Sequence, residues 1–188
     1  MAAPWAWGGW MEKHLTLEVA RRARTMLVVA GFEVHLTRET DEFLPLEERT
    51  ARAAARHADV FISIHFNAGR DAEANGIETY IPSRSGSSAD VRGGPIADHA
   101  VLGFLLQRHA VRRTGAADRG LRRASFAVLR TAPCPAALLE GGFLTHPEEA
   151  RRLTGADYQD RLASAIAAAV VEFSLAQRRV RIARTGLP

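Results

Sequence analysis

From Glu12 onward the apolar positions Leu15, Val19, Met26 and Ala30 return at helical spacing, and Gly31 stands where a left-handed C-cap belongs, so the pattern predicts a helix that ends there. The period then changes. Over residues 32–37 Phe32, Val34 and Leu36 alternate with polar neighbours, which predicts a strand. A second helix is expected over 45–57, followed by β-branched and aromatic runs at 59–65 (DVFISIH) and 76–82 (GIETYIP) that read as strands. Residues 83–94, rich in Ser, Gly and Arg, read as a mobile loop. Pro95 in a tolerated first-turn position and Gly115 beyond the end bracket a helix over 95–113. The short apolar runs FAVLR (126–130) and AALLE (136–140) read as strands joined by the proline-bounded TAPCP. A short helix over 147–153 with Thr145 as its cap, a longer one over 158–175, and a solvated basic tail over 178–188 complete the series. Strands alternating with helices predict the α/β class: a single-domain three-layer sandwich over residues 1–177, its sheet mostly parallel or mixed, with helices on both faces.

Composition narrows the function without choosing it. A chain of 188 residues, 47% hydrophobic, can bury one sizeable core. The net charge of +4 and pI near 10.1 look basic, yet Lys13 is the only lysine and the arginines are spread along the chain in short clusters. That distribution, beside abundant alanine, reads as a codon bias, and no nucleic-acid partner is expected. Cys134 is the only cysteine, which excludes an intrachain disulfide and a cysteine-built zinc site. No apolar run is long enough for a membrane span, and the first ten residues lack the basic and apolar regions of a signal peptide.

Open α/β sheets present their chemistry beyond the carboxyl ends of the strands. Two such ends stand out. The run VFISIH delivers His65 as its apolar residues stop, and AALLE delivers Glu140 just before Gly141 and Gly142, which let the backbone turn and leave the carboxylate unobstructed. His65 alone reads equally as a strand-end histidine bonded to a nearby carbonyl. Glu140 alone could be a surface carboxylate, although an acid directly after a buried run is disfavoured unless paired or functional. Glu12 alone is a first-turn acid that suits the helix dipole.

Taken together, the blocks GGWMEKHLTLEVA, HLTRE, LEERT, SIHFNA, GIETYI, RGLRRASFAVLR and LLEGGFLTHPEEARRL resemble the zinc-dependent N-acetylmuramoyl-L-alanine amidases of the type 3 family, in the family's order and spacing, from about Gly8 to Phe173. The resemblance implies a peptidoglycan hydrolase that cuts the amide between the lactyl group of N-acetylmuramic acid and the L-alanine of the stem peptide. Residue by residue, it implies Glu12 and His65 as zinc ligands and Glu140 as the catalytic general base and acid. Asn67 is a candidate for the substrate groove. Arg38 and Arg49 are expected to be structural, and His146 to cap a helix or lie on the surface. The cofactor implied is Zn²⁺ and the partner is peptidoglycan or its muropeptides. The protein is expected to act as a monomer, in the periplasm or outside the cell, where that polymer lies.

One departure qualifies these expectations. The family opens on an apolar strand ending in Asp-Pro-Gly-His-Gly-Gly, whose histidine is a third zinc ligand, and MAAPWAWGG has no counterpart to it. The expectation is a chain that starts late relative to the family, with a ligand and a strand lying upstream. The alternatives are a degenerate homologue that binds peptidoglycan without cutting it, and a substitute ligand from a partner chain.

Overall fold

The computed structural model describes residues 4–83, 90–91 and 94–186. In chain order the elements are α1 (Pro4–Val29), α2 (Leu46–Ala55), β1 (Phe61–Asn67), β2 (Ile77–Pro82), β3 (Asp90–Val91), β4 (Gly94–Pro95), α3 (Ile96–Thr114), β5 (Asp118–Ala124), α4 (Ala127–Thr131), β6 (Ala136–Phe143), α5 (Pro147–Leu153) and α6 (Ala156–Thr185). The main sheet has the order β1-β6-β2-β5. It is mixed: β1 pairs with β6 and β2 with β5 in parallel, whereas β2 and β6 run antiparallel. The second sheet is the small β3-β4 ribbon. Most of the loop expected over 83–94 lies outside the described residues.

The two faces of the sheet are covered differently. Ala137 and Leu139 of β6, with Ile77, Ile81 and Phe66, point into the larger core, built with Leu15 and Val19 of α1, Leu102 and Leu106 of α3, and Leu162 and Ile166 of α6. Their neighbours Ala136 and Leu138 point the other way, against Phe61, Ala53 of α2 and Val128 and Leu129 of α4. This is the period of two that a strand imposes. Each large aliphatic side chain so buried contributes roughly 1.5–3 kcal/mol. Helices α2 and α4 are short and pack over the start of β1 and β6, so among the described residues neither fills the other end of that second face.

Several expectations are corrected. Residues 32–37 are extended but belong to no strand. A strand requires a partner, and this segment faces the outer edge of β1 only across a cavity of about 1520 Å³ lined by Phe32–Thr37 on one side and Phe61–His65 on the other. FAVLR forms α4 instead of a strand: Phe126 is its extended N-cap residue, and Val128 and Leu129 become the buried side of a single helical turn. The sheet place expected for it is taken by β5, whose DRGLRRA is mostly exposed. Helix α1 begins at Pro4, so the turn expected at Gly8-Gly9 is helical; a glycine inside a helix costs only about 1 kcal/mol. Helix α6 continues through the arginines of the expected tail, since no residue breaks it before Gly186, which takes a left-handed φ of 65°. The cap of α5 is His146, whose Nδ1 accepts from Glu149 N at 3.2 Å, while Thr145 Oγ1 accepts from Gly69 N at 3.1 Å.

Candidate functional site

That end of the second face gathers Glu12, His65 and Glu140. His65 and Glu140 are paired Cα partners on the adjacent parallel strands β1 and β6, so their side chains leave the same face side by side. Because β1 is the edge of the sheet, α1 passes beside it and reaches His65 with Glu12. His65 Nδ1 stands 2.9 Å from Glu12 Oε1, and Nε2 stands 3.0 Å from Ser63 Oγ. In the neutral ring this places the Nδ1 proton toward the carboxylate and lets Nε2 accept from the serine. Phe66 N is a further donor to Glu12 Oε1, at 3.4 Å.

Imidazole and carboxylate are the donor types that zinc takes. Two ligands of one tetrahedral zinc, each at about 2.0–2.1 Å, stand about 3.3 Å apart. The 2.9 Å between His65 Nδ1 and Glu12 Oε1 is a small rearrangement from that. In kind and position the pair fits the ion. In number it supplies two donors, and among the described residues no group of three or more His, Cys, Asp or Glu is gathered for a metal.

Glu140 is set apart by its surroundings. Its Oε2 is buried without a hydrogen-bond partner. Burial raises its pKa from 4.5 to about 7; the His65 charge opposes the rise, and the Glu12 and Glu78 charges add to it. A carboxyl poised near neutrality can both take and return a proton. The backbone that carries it is held firmly. Tyr158 Oη donates to Gly141 O at 2.7 Å, and buried Glu149 accepts from Phe143 N at 2.7 Å and Gly76 N at 3.0 Å. Gly142 sits at φ 141°, in the region that favours glycine, and a Cβ there would meet Leu153 Cδ2 at 2.9 Å.

Asn67 lies at the end of β1, past an irregularity in its pairing with β6, and its carbonyl accepts from Leu144 N at 2.8 Å. Arg38 donates to the carbonyls of Lys13 and Thr40 and to Thr16 Oγ1, which fastens the segment after 37 to α1. Arg49 donates to Leu44 O at 3.3 Å.

Sequence reasoning missed the neighbour of Glu140 on its other side. Glu78 of β2 is directly opposite Glu140 and only 2% exposed. Its carboxylate accepts from Arg119 Nε at 2.5 Å and from Tyr80 Oη, with Arg122 Nη2 at 3.7 Å. Burial alone would raise the Glu78 pKa, but the bonds from Tyr80 and Arg119 and the charges of Arg122 and Arg119 outweigh it and hold the carboxyl below its usual range. Tyr80 is pushed up to about 12, by burial and then by its bond to Glu78. The only sequence signal was an acid inside the apolar run GIETYIP, and its arginine partners stand far along the chain.

Comparison with known proteins shows the family. Residues 3–172 match the family model described as N-acetylmuramoyl-L-alanine amidase. The chain is similar to the N-acetylmuramoyl-L-alanine amidase LytC of Bacillus subtilis (strain 168), with 34% identity over 84% of this chain and 30% of that protein. It is similar to the amidase AmiC of Neisseria meningitidis serogroup B, with 30% identity over 88% of this chain and 48% of that one. The chain thus spans between 30% and 48% of the length of these curated relatives. Among solved structures, the catalytic domain of CwlV, an N-acetylmuramoyl-L-alanine amidase from Bacillus (Paenibacillus) polymyxa var. colistinus, superposes with a TM-score of 0.77 at 32% identity, covering 87% of this chain and 84% of that one.

Proposed function

Since the chain belongs to the N-acetylmuramoyl-L-alanine amidase family, we propose that it hydrolyses the amide between N-acetylmuramic acid and the L-alanine of the peptidoglycan stem peptide, with Glu12 and His65 holding a Zn²⁺ ion and Glu140 moving the proton. The observation that carries this reading is the buried Glu140, with a carboxyl pKa near 7, in register with a histidine that is itself bonded to Glu12. When bound, zinc supplies Lewis acidity, which lowers the pKa of water and polarises a carbonyl. The chain's own residues do the rest. Ser63 and Glu12 fix the His65 ring, and Glu12 is itself anchored by Phe66 N. Glu140, as carboxylate, takes a proton from the attacking water and passes it to the departing nitrogen. The water oxygen joins the lactyl carbonyl carbon, the C–N bond breaks, and the stem peptide leaves with a free α-amine on L-alanine. Asn67, at the end of β1, lines the substrate groove in this reading.

The substrate puts the site of action outside the cytoplasmic membrane, in the periplasm or beyond. Among the described residues no helix is long and apolar enough to cross a membrane. The proposed acting form is a monomer. The test is incubation of the chain with purified muropeptides and Zn²⁺, followed by mass spectrometry. Release of free stem peptide by the wild type and its loss in Glu140→Gln, with metal content unchanged, support the reading. Binding of muropeptides without release would favour a non-cutting homologue.

A further inference from the structure

Beyond Glu140, the same face ends in an arrangement that hydrolysis of the amide does not use. His65, Glu140 and Glu78 stand in register on β1, β6 and β2, so a row of polar side chains crosses the sheet. The next strand, β5, places Arg119 and Arg122 at the end of that row, both directed at Glu78. Neighbouring strands are about 4.8 Å apart, so the arginines lie about 10 Å from the Glu140 strand. Glu78 is nearly fully buried and neutralises one of the two cations, which leaves one positive charge in excess.

The two arginines are also held differently. Arg119 is fixed by Glu78 Oε1 and Asn75 O, and its guanidinium stacks over Phe143 at 4.9 Å. Arg122 meets Glu78 only at 3.7 Å, longer than a hydrogen bond, and its side chain is 48% exposed. A buried carboxylate that organises two guanidinium groups while satisfying only part of their donors is a prepared receptor for a second carboxylate.

Resting on the hydrolase reading above, we propose that Arg119 and Arg122 form an anion subsite for a free carboxylate on the stem peptide, so that the protein selects stems carrying that carboxylate over stems in which it is amidated. A peptide lying across the strands from the Glu140 row covers about 10 Å in about three extended residues. The carboxylate recognised is therefore within about three residues of the scissile amide. Arg119 orders the receptor and Arg122 supplies the donors that are least committed to Glu78.

The experiment compares two synthetic muropeptides that differ only in carboxylate against carboxamide at the stem residue following L-alanine. Wild type and Arg122→Gln are assayed with zinc for KM and kcat. The binding of the two corresponding free stem peptides to metal-free protein is measured by calorimetry. Arg122→Gln is chosen because removing Arg119 would strand the buried Glu78; thermal melts confirm that the variant is folded. A charge-assisted pair corresponds to a preference of about tenfold or more for the carboxylate form, seen in KM and in the binding constant. In Arg122→Gln the preference ratio falls to about one in both measurements, and Arg122→Lys restores part of it. A wild-type ratio of one, or a ratio that Arg122→Gln leaves intact, overturns the proposal. If wild type cuts neither muropeptide, the hydrolase reading fails by itself, and the calorimetric ratios still decide whether the subsite exists.

Discussion

Glu140 combines a position inside the buried strand β6 with a carboxyl that gives up its proton only near pH 7, so its protonation is linked to the stability of the fold. In the unfolded chain this carboxyl ionises near its ordinary value of 4.5, whereas the native state retains the proton up to about 7. The native state therefore loses stability as pH climbs through that window, and the loss is complete above it. Glu140→Gln removes the penalty. In the metal-free protein the variant gains on wild type as pH rises from about 4.5 to about 7 and then holds a constant advantage on the order of 3 kcal/mol. Urea denaturation at a series of pH values checks this, and parallel curves for the two proteins would contradict it. The same substitution lowers kcat by roughly 10²–10⁴, the usual worth of a positioned acid or base. His65 and Glu140 stood out in the sequence because each follows an apolar run, where a polar residue needs a reason, although both strands continue past them, β1 to Asn67 and β6 through the two glycines to Phe143. Glu78 did not stand out, because a buried acid is intelligible only beside Arg119, which lies 41 residues away.

At the scale of elements, the end of β6 depends on α5. Glu149 is 5% exposed and bonds two backbone donors, Phe143 N and Gly76 N, that have been withdrawn from water. Glu149→Ala leaves both unsatisfied and is expected to cost about 3 kcal/mol or more in urea denaturation, with lowered activity because the strand carrying Glu140 loosens. A loss below about 1 kcal/mol would contradict this role. Elements were legible where one segment suffices to define them, as in α3, which is closed by Gly115 at φ 70°. They were not where two segments must agree. The alternation of 32–37 is real, but a strand is a property of a pair and its outward neighbour stands across a cavity. DRGLRRA is too polar to advertise a strand, yet it pairs along β2 through its backbone. The five residues of FAVLR are too few to distinguish a period of two from 3.6.

Across the whole molecule, the site joins a helix and a strand that meet only at the edge of the sheet. Glu12 belongs to α1 and His65 to β1, so an ion held between them cross-links the two. Zinc at about a hundredfold excess over its dissociation constant is expected to stabilise the fold by roughly 2.7 kcal/mol, read as a raised melting temperature that EDTA reverses. His65→Ala abolishes the shift; an equal shift in that variant would place the metal elsewhere. The central claim, that water guided by Glu140 cuts the lactyl amide, is tested most directly by digesting a muropeptide in H₂¹⁸O with zinc present and weighing both products. One ¹⁸O atom is expected in the lactyl carboxylate of the glycan product, none in the released stem peptide, and no products with Glu140→Gln. Intact muropeptide with wild type, label in the stem peptide, or undiminished cleavage by Glu140→Gln would contradict it.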